Sequence, residues 1–439
     1  MEHKSNASLT NDGERILAQN ITVSNNSWKT GRNNNDLIIG PTGSGKTRYY
    51  VKPNLLNASE SLVITDTKGN LAEEMTPALE EAGYDIMLLD LTRPDVSLGY
   101  NPFDYIAYDS EADEYSQKDI ATMAEILYGE CQSGDEPYWD MAAKGVLRSM
   151  IAYLMEATIP KDHTVESLSS LLRLIRTSRD SEMSPYAQLL EDLKEDNPDS
   201  YAASQYAMAI DEKDDKTSGC IKMFLGSALS QFNSKEIAGI LTRKKRVDIL
   251  RLARRKTALF LTISDMDRSQ DKLANLFYAQ ALQVLCRYAD REYPGNCLPV
   301  PVRFILDDFA TNACIPDFDK HISVIRSRGI SVSIILQSVT QLNKMYGEYA
   351  ATTILNGCDT LLYLGGHDVK TADYIGTRTD RRNFDVLNMP VTEAWLMLRG
   401  DEPKRVRRYD LTQHPRYSLL AEAGAVKCKA RSADNEPAA

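Results

Sequence analysis

Short apolar segments recur along the chain, and each is bounded by turn or capping residues. They are about four to eight residues long, rich in Ile, Leu and Val, and do not alternate with polar residues, which is typical of strands buried on both faces of a parallel sheet. The predicted strands cover residues 36–39, 61–65, 84–90, 257–263, 302–306, 331–336, 360–364 and 394–398. Amphipathic helical stretches separate several of them, which favours a layered α/β fold with a mainly parallel central sheet.

The middle of the chain has a different pattern, with almost no strand signals between about residues 110 and 245. Helical spacing dominates there, and in residues 138–155 apolar positions recur every three or four residues, at Trp139, Ala142, Val146, Met150 and Tyr153. We therefore expect an all-α domain inserted into the α/β domain. The predicted bounds are 1–108 and 246–418 for the two parts of the α/β domain, 109–245 for the inserted domain and 419–439 for a polar, disordered tail.

The acidic composition limits which partners the whole surface can attract. The chain has 439 residues, a formal net charge of -11 and a sequence pI near 5.2. This total argues against a protein coated in nucleic acid. It is compatible with a local basic channel, because binding follows the local field rather than the sum of charges.

Cysteine and histidine usage and the terminal sequence bear on the compartment. The seven cysteines are scattered without a C-x-x-C pair, which predicts reduced thiols in a cytoplasm, and no two of the five histidines have the spacing of metal ligands. The polar N-terminus lacks the apolar segment of a signal peptide, and no stretch approaches the ~18–20 apolar residues of a membrane helix. We expect a soluble, cytoplasmic protein without a zinc site built by its own side chains.

The strongest chemical signal is the segment GPTGSGKT, which satisfies the phosphate-loop (P-loop) pattern G-x-x-x-x-G-K-[ST]. It follows a predicted strand and precedes a predicted helix, which Pro53 must end or kink. A glycine-rich turn could match by chance, but this context argues against that. The predicted nucleotide-binding residues are Gly40, Pro41, Thr42, Gly43, Ser44, Gly45, Lys46 and Thr47.

Each part of this loop has an expected role toward ATP and Mg²⁺. The glycines let backbone N–H groups turn toward phosphate oxygens at a helix N-terminus. Lys46 is expected to contact the β- and γ-phosphates, and the Thr47 hydroxyl is expected to be a ligand of Mg²⁺.

A second candidate part of the site is the segment FILDDF, an apolar strand that ends in two acids. Ligands of open α/β sheets bind at the carboxyl ends of the strands, where these acids fall. Asp307 is expected to hold Mg²⁺ and Asp308 to act as the general base for the attacking water. The alternative is an acidic strand end that pairs with a surface lysine or arginine, but the P-loop upstream favours the catalytic interpretation.

Two further residues complete a set for hydrolysis. Gln337 ends the predicted strand 331–336, where its amide could orient water or sense the γ-phosphate. Arg326 lies on the preceding predicted helix and could reach the γ-phosphate of a neighbouring subunit as an arginine finger. A strand-capping amide and a solvated arginine are the alternatives, and a structural role is preferred for Arg328.

Five segments together resemble one known family, the type IV coupling proteins of conjugation, which are TraG/TraD-like ATPases. The resemblance covers about residues 21–417. Its segments are GPTGSGKT (40–47), SLVITDTKGNLAEE (61–74), LGYNPFDYI (98–106), PYWDMAAKGVLRSMIAYL (137–154), which resembles the first helix of the family's insertion, and the long block from LDDFA to KMYG (306–347).

The resemblance implies a RecA-like ATPase with an all-α insertion, working as a membrane-anchored, usually hexameric ring. Such a ring links a relaxase–DNA complex to a type IV secretion channel. The family's functional positions fall on Lys46, Thr47, Asp307, Arg326 and Gln337. The expected cofactors are ATP and Mg²⁺, the expected partners are single-stranded DNA without sequence preference, relaxase and channel proteins, and the expected place is the inner face of the cell membrane.

This chain departs from the family pattern in two ways. The family has Asp-Glu after the Walker-B strand, whereas this chain has Asp307-Asp308, so the second carboxylate is one methylene shorter and hydrolysis is expected to be slow unless the loop lies closer. The family's N-terminal membrane helices are also absent from the sequence. The expectation is therefore either a removed anchor or attachment to the membrane through a partner.

Four basic clusters are candidates for DNA contact, with solvated faces that balance the many acids as the alternative. They are Arg243–Arg246, Arg251 with Arg254–Lys256, Arg378 with Arg381–Arg382, and Lys404–Arg405 with Arg407–Arg408. Two other functions stay open. One is another ring DNA translocase or secretion ATPase, and the other is a docking adaptor that binds ATP without hydrolysing it and recruits relaxase.

Overall fold

The computed structural model describes residues 13–129, 137–175, 183–210, 215–264, 266–293, 295–309 and 314–420. The predicted disordered tail therefore lies outside the described residues from residue 421 onward. Contacts within the chain group it into two compact units. The sheet unit comprises Met1–Thr92, Val247–Arg268 and Ala281–Ala439, and the helical unit comprises Arg93–Arg246 and Ser269–Gln280.

The sheet unit is built on one large sheet. The strands in chain order are β1 (Glu14–Ala18), β2 (Ile21–Ser24), β3 (Asp36–Ile39), β4 (Ser61–Asp66), β5 (Asp85–Asp90), β6 (Tyr108–Asp109), β7 (Glu114–Tyr115), β8 (Thr257–Thr262), β9 (Val302–Leu306), β10 (Ile330–Leu336), β11 (Thr360–Tyr363), β12 (Glu393–Leu398) and β13 (Lys404–Arg407). The nine-stranded sheet has the order β13-β12-β11-β3-β10-β9-β4-β8-β5, and only the β11–β12 and β12–β13 pairs are antiparallel. β1 and β2 form a separate hairpin.

Helices accompany the strands of the sheet unit. They are Ser27–Thr30, Lys52–Leu56, Asn70–Glu81, Ile249–Arg254, the C-terminal part of Asp271–Glu292, Phe318–Val324, Val339–Tyr346, Glu348–Asn356, Val369–Thr379 and Asn383–Leu387. The strands β3, β4, β8, β9, β10 and β11 are buried along their whole length. Their continuous apolar runs follow from burial of both faces.

The helical unit is mainly α-helical and also contains the short β6–β7 ribbon. Its helices are Gln117–Tyr128, Pro137–Ala157, Val165–Leu174, Pro185–Asp196, Tyr201–Ala209, Asp215–Ser230, Lys235–Thr242 and the first part of Asp271–Glu292. In the long helix Pro137–Ala157, the predicted apolar positions Ala142, Val146 and Met150 are buried, whereas Tyr138 is 61% exposed. The sequence starts this unit at residue 109, whereas the structure starts it at Arg93. The family resemblance implied that the helix at residues 137–154 is the first of the inserted domain, but the helix Gln117–Tyr128 comes before it.

All eight predicted strands are present, with bounds that differ by at most two residues, so the prediction of an α/β fold with a mainly parallel sheet is confirmed. The prediction missed β1, β2 and β13 in the sheet unit and the two-residue strands β6 and β7 in the helical unit. β13 has the sequence KRVR and buries only Val406, because it lies at the edge of the sheet and its other side chains face water. Such a strand has no apolar run to detect.

The helix after the P-loop corrects the expected effect of Pro53. A π-helical turn covers Thr47–Val51, and the helix continues past the proline to Leu56. Proline has no N–H to give to the preceding turn. The helix nevertheless continues past Pro53, so the proline does not end it. The Asn54 side chain donates to the Tyr50 carbonyl over 2.8 Å.

Candidate nucleotide site at the carboxyl edge of the sheet

Three neighbouring strands carry the candidate residues to one edge. β3, β10 and β9 are parallel neighbours, so their carboxyl ends lie side by side. The P-loop follows β3, the two aspartates follow β9, and Gln337 follows β10. Tertiary pairing of strands that are distant in sequence thus brings together residues 40–47, 307–308 and 337.

The P-loop has the backbone conformation that its glycines permit. Gly43 and Gly45 have φ values of +81° and +84°, in the left-handed region that favours glycine. Within the loop, the Ser44 N–H donates to the Pro41 carbonyl over 3.1 Å, and the Gly40 N–H donates to Leu336 on β10 over 3.1 Å. Thr42 is exposed. The loop is therefore tied both to itself and to the central strand.

The Lys46 and Thr47 side chains lie where the motif predicts them. The Lys46 ammonium is buried within the loop and donates to the carbonyls of Gly40 over 2.8 Å and Pro41 over 3.3 Å. The Thr47 hydroxyl donates to Asp307 Oδ2 over 3.2 Å. This bond joins the P-loop to the Walker-B strand, although 260 residues separate the two groups in the chain.

Asp307 has a perturbed acidity. Burial and then the neighbouring charge of Asp308 raise the pKa of Asp307 to about 6, while Lys46 and the hydrogen bonds from Thr47 and the Asp308 N–H act in the opposite direction. A carboxylate in this position gains from a nearby cation. Together with the Thr47 hydroxyl it supplies the oxygen ligands that Mg²⁺ prefers, so the residues present fit this ion.

Asp308 is held in an unusual backbone conformation. Its φ is +50°, a left-handed value that is uncommon for residues other than glycine and is tolerated best by Asn and Asp. Its N–H donates to Asp307 Oδ1 over 3.0 Å, and its Oδ1 accepts from Gln337 Nε2 over 3.2 Å. This conformation gives a physical reason for aspartate at a position where the family resemblance predicts glutamate.

Gln337 is part of a short chain of polar groups. While Gln337 Nε2 contacts Asp308, Gln337 Oε1 accepts from Gln341 Nε2 over 3.4 Å. Gln341 lies one turn into the helix Val339–Tyr346, and the Ser338 side chain caps this helix. The helix thereby orients the glutamine amide toward the second carboxylate.

The structure places the two arginines in different surroundings. Arg326 is exposed on a short 3₁₀ helix, Ile325–Arg328, and no ion pair or side-chain hydrogen bond to it occurs within the described ranges. Arg328 instead makes a bidentate contact with Asp290, at 2.8–3.1 Å. The carboxyl-edge site thus contains all the predicted residues except Arg326, which points to solvent, as a group that acts on a neighbouring copy would.

Three aromatic residues that the sequence interpretation missed support the Walker-B turn. Phe309, directly after the two aspartates, stacks on Tyr346 with ring centroids 5.5 Å apart and an interplanar angle of 12°. Phe309 also packs on Phe318, at 4.8 Å, in the helix that leads to Arg326. An aromatic side chain looks like any core residue in the sequence, so only the packing shows this role.

Arg408 was also missed, because the sequence groups it with a basic cluster. Its guanidinium donates to the Ser44 carbonyl of the P-loop over 2.8 Å and to the Leu364 carbonyl over 2.6 Å. It also lies 5.4 Å from the centroid of the Tyr49 ring. No spacing rule in the sequence connects residue 408 to residue 44.

Most of the basic clusters are partly occupied by contacts within the chain. Arg246 pairs with Asp104, Arg251 and Arg255 approach Asp85, Arg405 pairs with Glu393, and Arg378 lies over the Tyr374 ring. The exposed cations that remain as candidates for DNA contact are Lys244, Lys245, Lys256, Arg381, Arg382, Lys404 and Arg407.

Two curated relatives align with most of this chain. The conjugal transfer protein TraG of Escherichia coli is 22% identical over 357 residues, which cover 78% of this chain and 54% of that protein. The protein VirD4 of Rhizobium rhizogenes is 21% identical over 367 residues, which cover 83% of this chain and 52% of that protein. The chain thus spans about half the length of the curated relatives it matches.

Solved structures share the fold. The plasmid coupling protein TrwB in complex with the non-hydrolysable ATP analogue ADPNP has a TM-score of 0.62 and 17% identity, and the match covers 87% of this chain and 86% of that chain. VirB4 of Thermoanaerobacter pseudethanolicus has a TM-score of 0.57 and 16% identity, with 90% and 96% covered. These likenesses confirm the RecA-like architecture.

Within the described ranges, no helix is both long enough and apolar enough to cross a membrane.

The family follows from the extent of the match. The family described as Type IV secretory system Conjugative DNA transfer matches residues 1–381. This match spans residues in both units and includes the P-loop residues 40–47, Asp307, Asp308, Gln337, Arg326 and Arg328. The resemblance inferred from the motifs is confirmed, and the chain belongs to the type IV secretory system conjugative DNA transfer family.

Proposed function

We propose that this chain is an ATP-hydrolysing DNA-transfer motor that couples a relaxase–DNA complex to a conjugative type IV secretion channel. The observation that carries the proposal is the convergence of Lys46, Thr47, Asp307, Asp308 and Gln337 at one sheet edge, with Thr47 bonded to Asp307 and Gln337 to Asp308. We further propose a homo-hexameric ring at the inner face of the cell membrane, held there by an anchor or by a partner.

The geometry of the side chains supports one proposed role for each residue. Lys46 contacts the β- and γ-phosphates of ATP, and Thr47 and Asp307 hold Mg²⁺, which neutralises phosphate charge when bound. Asp308 accepts the proton of the attacking water, and Gln337 orients that water together with the Asp308 carboxylate. Arg326 of one copy reaches the γ-phosphate bound to the next copy, which agrees with its exposed position.

The proposal that ATP and Mg²⁺ are the cofactors is supported by the residues of the site and by related structures. TrwB has been solved in complex with ADPNP and in complex with ADP and Mg²⁺. In this chain the Thr47 hydroxyl is bonded to the Asp307 carboxylate, and the Lys46 ammonium lies within the P-loop, bonded to the Gly40 carbonyl. DNA, relaxase and channel partners are proposed from family membership, with the exposed cations of the basic clusters as the DNA-facing groups.

Two other functions compete with this proposal. The fold likeness to VirB4 keeps a different secretion ATPase or ring translocase as the nearest rival. A docking adaptor that binds ATP without hydrolysing it is favoured by one observation, the engagement of the Asp308 carboxylate by Gln337 and its short arm. The rate of hydrolysis and its response to DNA separate these functions.

The test is steady-state ATP turnover with and without single-stranded DNA. We expect turnover that DNA stimulates and that Lys46→Ala abolishes, because the lysine contacts the phosphates. Lys52→Ala is the matched control, since Lys52 lies on the same helix but pairs with Glu74. Tight ATP binding with no turnover under either condition would support the adaptor, and turnover that DNA leaves unchanged would favour another secretion ATPase.

A further inference from the structure

The C-terminal segment Lys404–Tyr417, called the strap here, contacts both ends of the P-loop helix. At one end Arg408 donates to the Ser44 carbonyl in the loop. At the other end Arg416 donates over 3.1 Å to the carbonyl of Leu56, the last residue of the helix. The Gln19 N–H also donates to the Arg407 carbonyl over 3.0 Å, which ties the strap to the β1–β2 hairpin.

Arg408 makes three hydrogen bonds with its guanidinium group. Each of the three nitrogens donates to a backbone carbonyl on a different segment: Nε to Glu393 at the start of β12 over 3.0 Å, Nη1 to Ser44 in the P-loop over 2.8 Å and Nη2 to Leu364 after β11 over 2.6 Å. Only arginine has a planar fork with enough donors for this geometry. The side chain therefore fixes the distance between the P-loop and two strands of the sheet.

The contact with Ser44 bears directly on phosphate binding. Because a peptide unit is planar and trans, fixing the direction of the Ser44 carbonyl also fixes the N–H of Gly45, which points the opposite way. Backbone N–H groups of this loop are the groups that cradle phosphate. The Tyr49 ring, which lies below Arg408, also packs so close to Gly45 that an added Cβ would come within 2.4 Å of it. Arg408 and Tyr49 thus brace the same peptide from outside the loop.

Among the described residues, no carboxylate pairs with the guanidinium of Arg408. Its partners there are carbonyl oxygens and the Tyr49 ring, whereas the nearby Arg405 pairs with Glu393. Burial lowers the pKa of Arg408, which shows that the site does little to offset its positive charge. A half-buried cation next to the P-loop favours an anion bound on the other side of the loop.

We propose that Arg408 is a positioning residue for the P-loop, which sets nucleotide affinity by holding the Ser44 peptide with its N–H side toward the phosphates. This inference rests on the proposed nucleotide-binding function and adds a residue outside the recognised motifs. The strap thereby connects the edge strands β12 and β13 with the nucleotide site.

The test is equilibrium binding of ADPNP with Mg²⁺ to the full chain and to Arg408→Lys, Arg408→Gln and Arg408→Ala. Arg399→Ala is the matched control, because Arg399 follows β12, carries the same charge and pairs with Asp359. We expect Arg408→Ala to bind about 10-fold more weakly or worse, since a charged hydrogen bond contributes on this scale. Arg408→Lys should lie in between, and Arg399→Ala should match the wild type.

Steady-state ATP turnover separates an effect on nucleotide binding from an effect on catalysis. In the active protein, Arg408→Gln should raise KM for ATP more than it lowers kcat, because the residue acts on the loop and not on the reacting atoms. Thermal unfolding without nucleotide reports any general loss of stability, and the Lys and Gln variants keep the test valid if the Ala variant does not fold.

The outcomes separate this inference from the proposed function. A wild-type chain that binds no ADPNP contradicts the proposed function itself. Wild-type binding with unchanged affinity in folded Arg408→Gln overturns the positioning role. Full affinity in Arg408→Lys also overturns it, because charge alone would then suffice without the three-carbonyl geometry.

Discussion

Strands β3 and β9 have charged groups at both their amino and carboxyl ends, but the surroundings of these charges differ between the two edges of the sheet. At the amino edge, Asp36 and Arg303 are 0% and 2% exposed, and both lie in one ion network. Arg15 lies 2.9 Å from Asp36, Arg303 lies 3.5 Å from it and also contacts Glu60, and Ser333 accepts from Arg303 over 3.2 Å. Two cations face two carboxylates there.

The carboxyl edge arranges its charges differently. Asp307 and Asp308 follow one another in the chain, Lys46 is a nearby cation, and burial together with the Asp308 charge raises the pKa of Asp307. Asp308 adopts a left-handed φ, which costs free energy for a side chain of its kind. In the amino-edge network, by contrast, Glu60 and Asp36 raise the pKa of Arg303 against the opposing effect of burial. The paired charges of the amino edge serve the fold, whereas the carboxyl edge has a raised pKa at Asp307 and a left-handed φ at Asp308, features that cluster at functional sites.

The largest expected effect concerns Arg326, the exposed arginine that we propose acts on the γ-phosphate bound to a neighbouring copy. Arg326→Ala should lower ATP turnover by about 10³–10⁵, because an arginine finger stabilises the charge of the transition state. Steady-state turnover at rising protein concentration measures it, and the wild-type rate should climb as copies associate. Arg328→Ala is the control, since Arg328 is already paired with Asp290, and it should stay near the wild-type rate.

Mixing variants shows whether Arg326 acts between copies. Arg326→Ala chains combined with Lys46→Ala chains should regain part of the activity, because each supplies what the other lacks at mixed interfaces. If mixed assemblies form and no activity returns, Arg326 does not act on a neighbour.

The second prediction concerns the carboxylate of Asp308, the proposed general base. Asp308→Asn should cut turnover by about 10²–10⁴ while ADPNP binding persists, because the general base is lost and the phosphate contacts belong to other residues. Asn tolerates the left-handed conformation as well as Asp does, so the thermal midpoint should hold. Unchanged turnover in an active protein would assign the base to another group.

The third prediction concerns the buried ion network at the amino edge of the sheet. Arg303→Met should lower the free energy of unfolding by about 3–5 kcal/mol, because Glu60 and Asp36 lose a buried partner. Urea unfolding measures it. Arg405→Met, which removes the partner of Glu393 at an exposed site, should cost only about 0–1 kcal/mol. Equal losses from the two variants would contradict the distinction drawn between the buried network and surface pairs.

The smallest effect tests the backbone at Asp308. Asp308→Glu should lower stability by up to about 1 kcal/mol and reduce turnover, because glutamate fits a φ of +50° less well than aspartate and its longer arm crowds the water. Thermal unfolding and steady-state turnover measure the two changes. A rise in turnover would show that the short side chain limits catalysis and that the loop has not adapted to it.

The order of residues along the chain already determined much of this protein. Six of the eight predicted strands, β3, β4, β8, β9, β10 and β11, could be predicted because they are buried on both faces and are therefore mainly apolar. The P-loop could be predicted because local glycines, a lysine and a threonine at fixed spacing suffice to define it. Asp307 and Gln337 followed from their places at strand ends.

Tertiary structure alone decided how these parts meet. The bond from Thr47 to Asp307 depends on which strands become neighbours, and no local pattern states that β3 and β9 flank β10. The left-handed φ of Asp308 depends on contacts with Asp307 and Gln337. Arg408 has the same local sequence context as its exposed neighbours, and it becomes a brace for the P-loop because the chain, 364 residues later, returns to the carbonyl of Ser44. Such contacts join residues far apart in sequence, so they arise from packing and hydrogen-bond satisfaction that short-range periodicity does not encode.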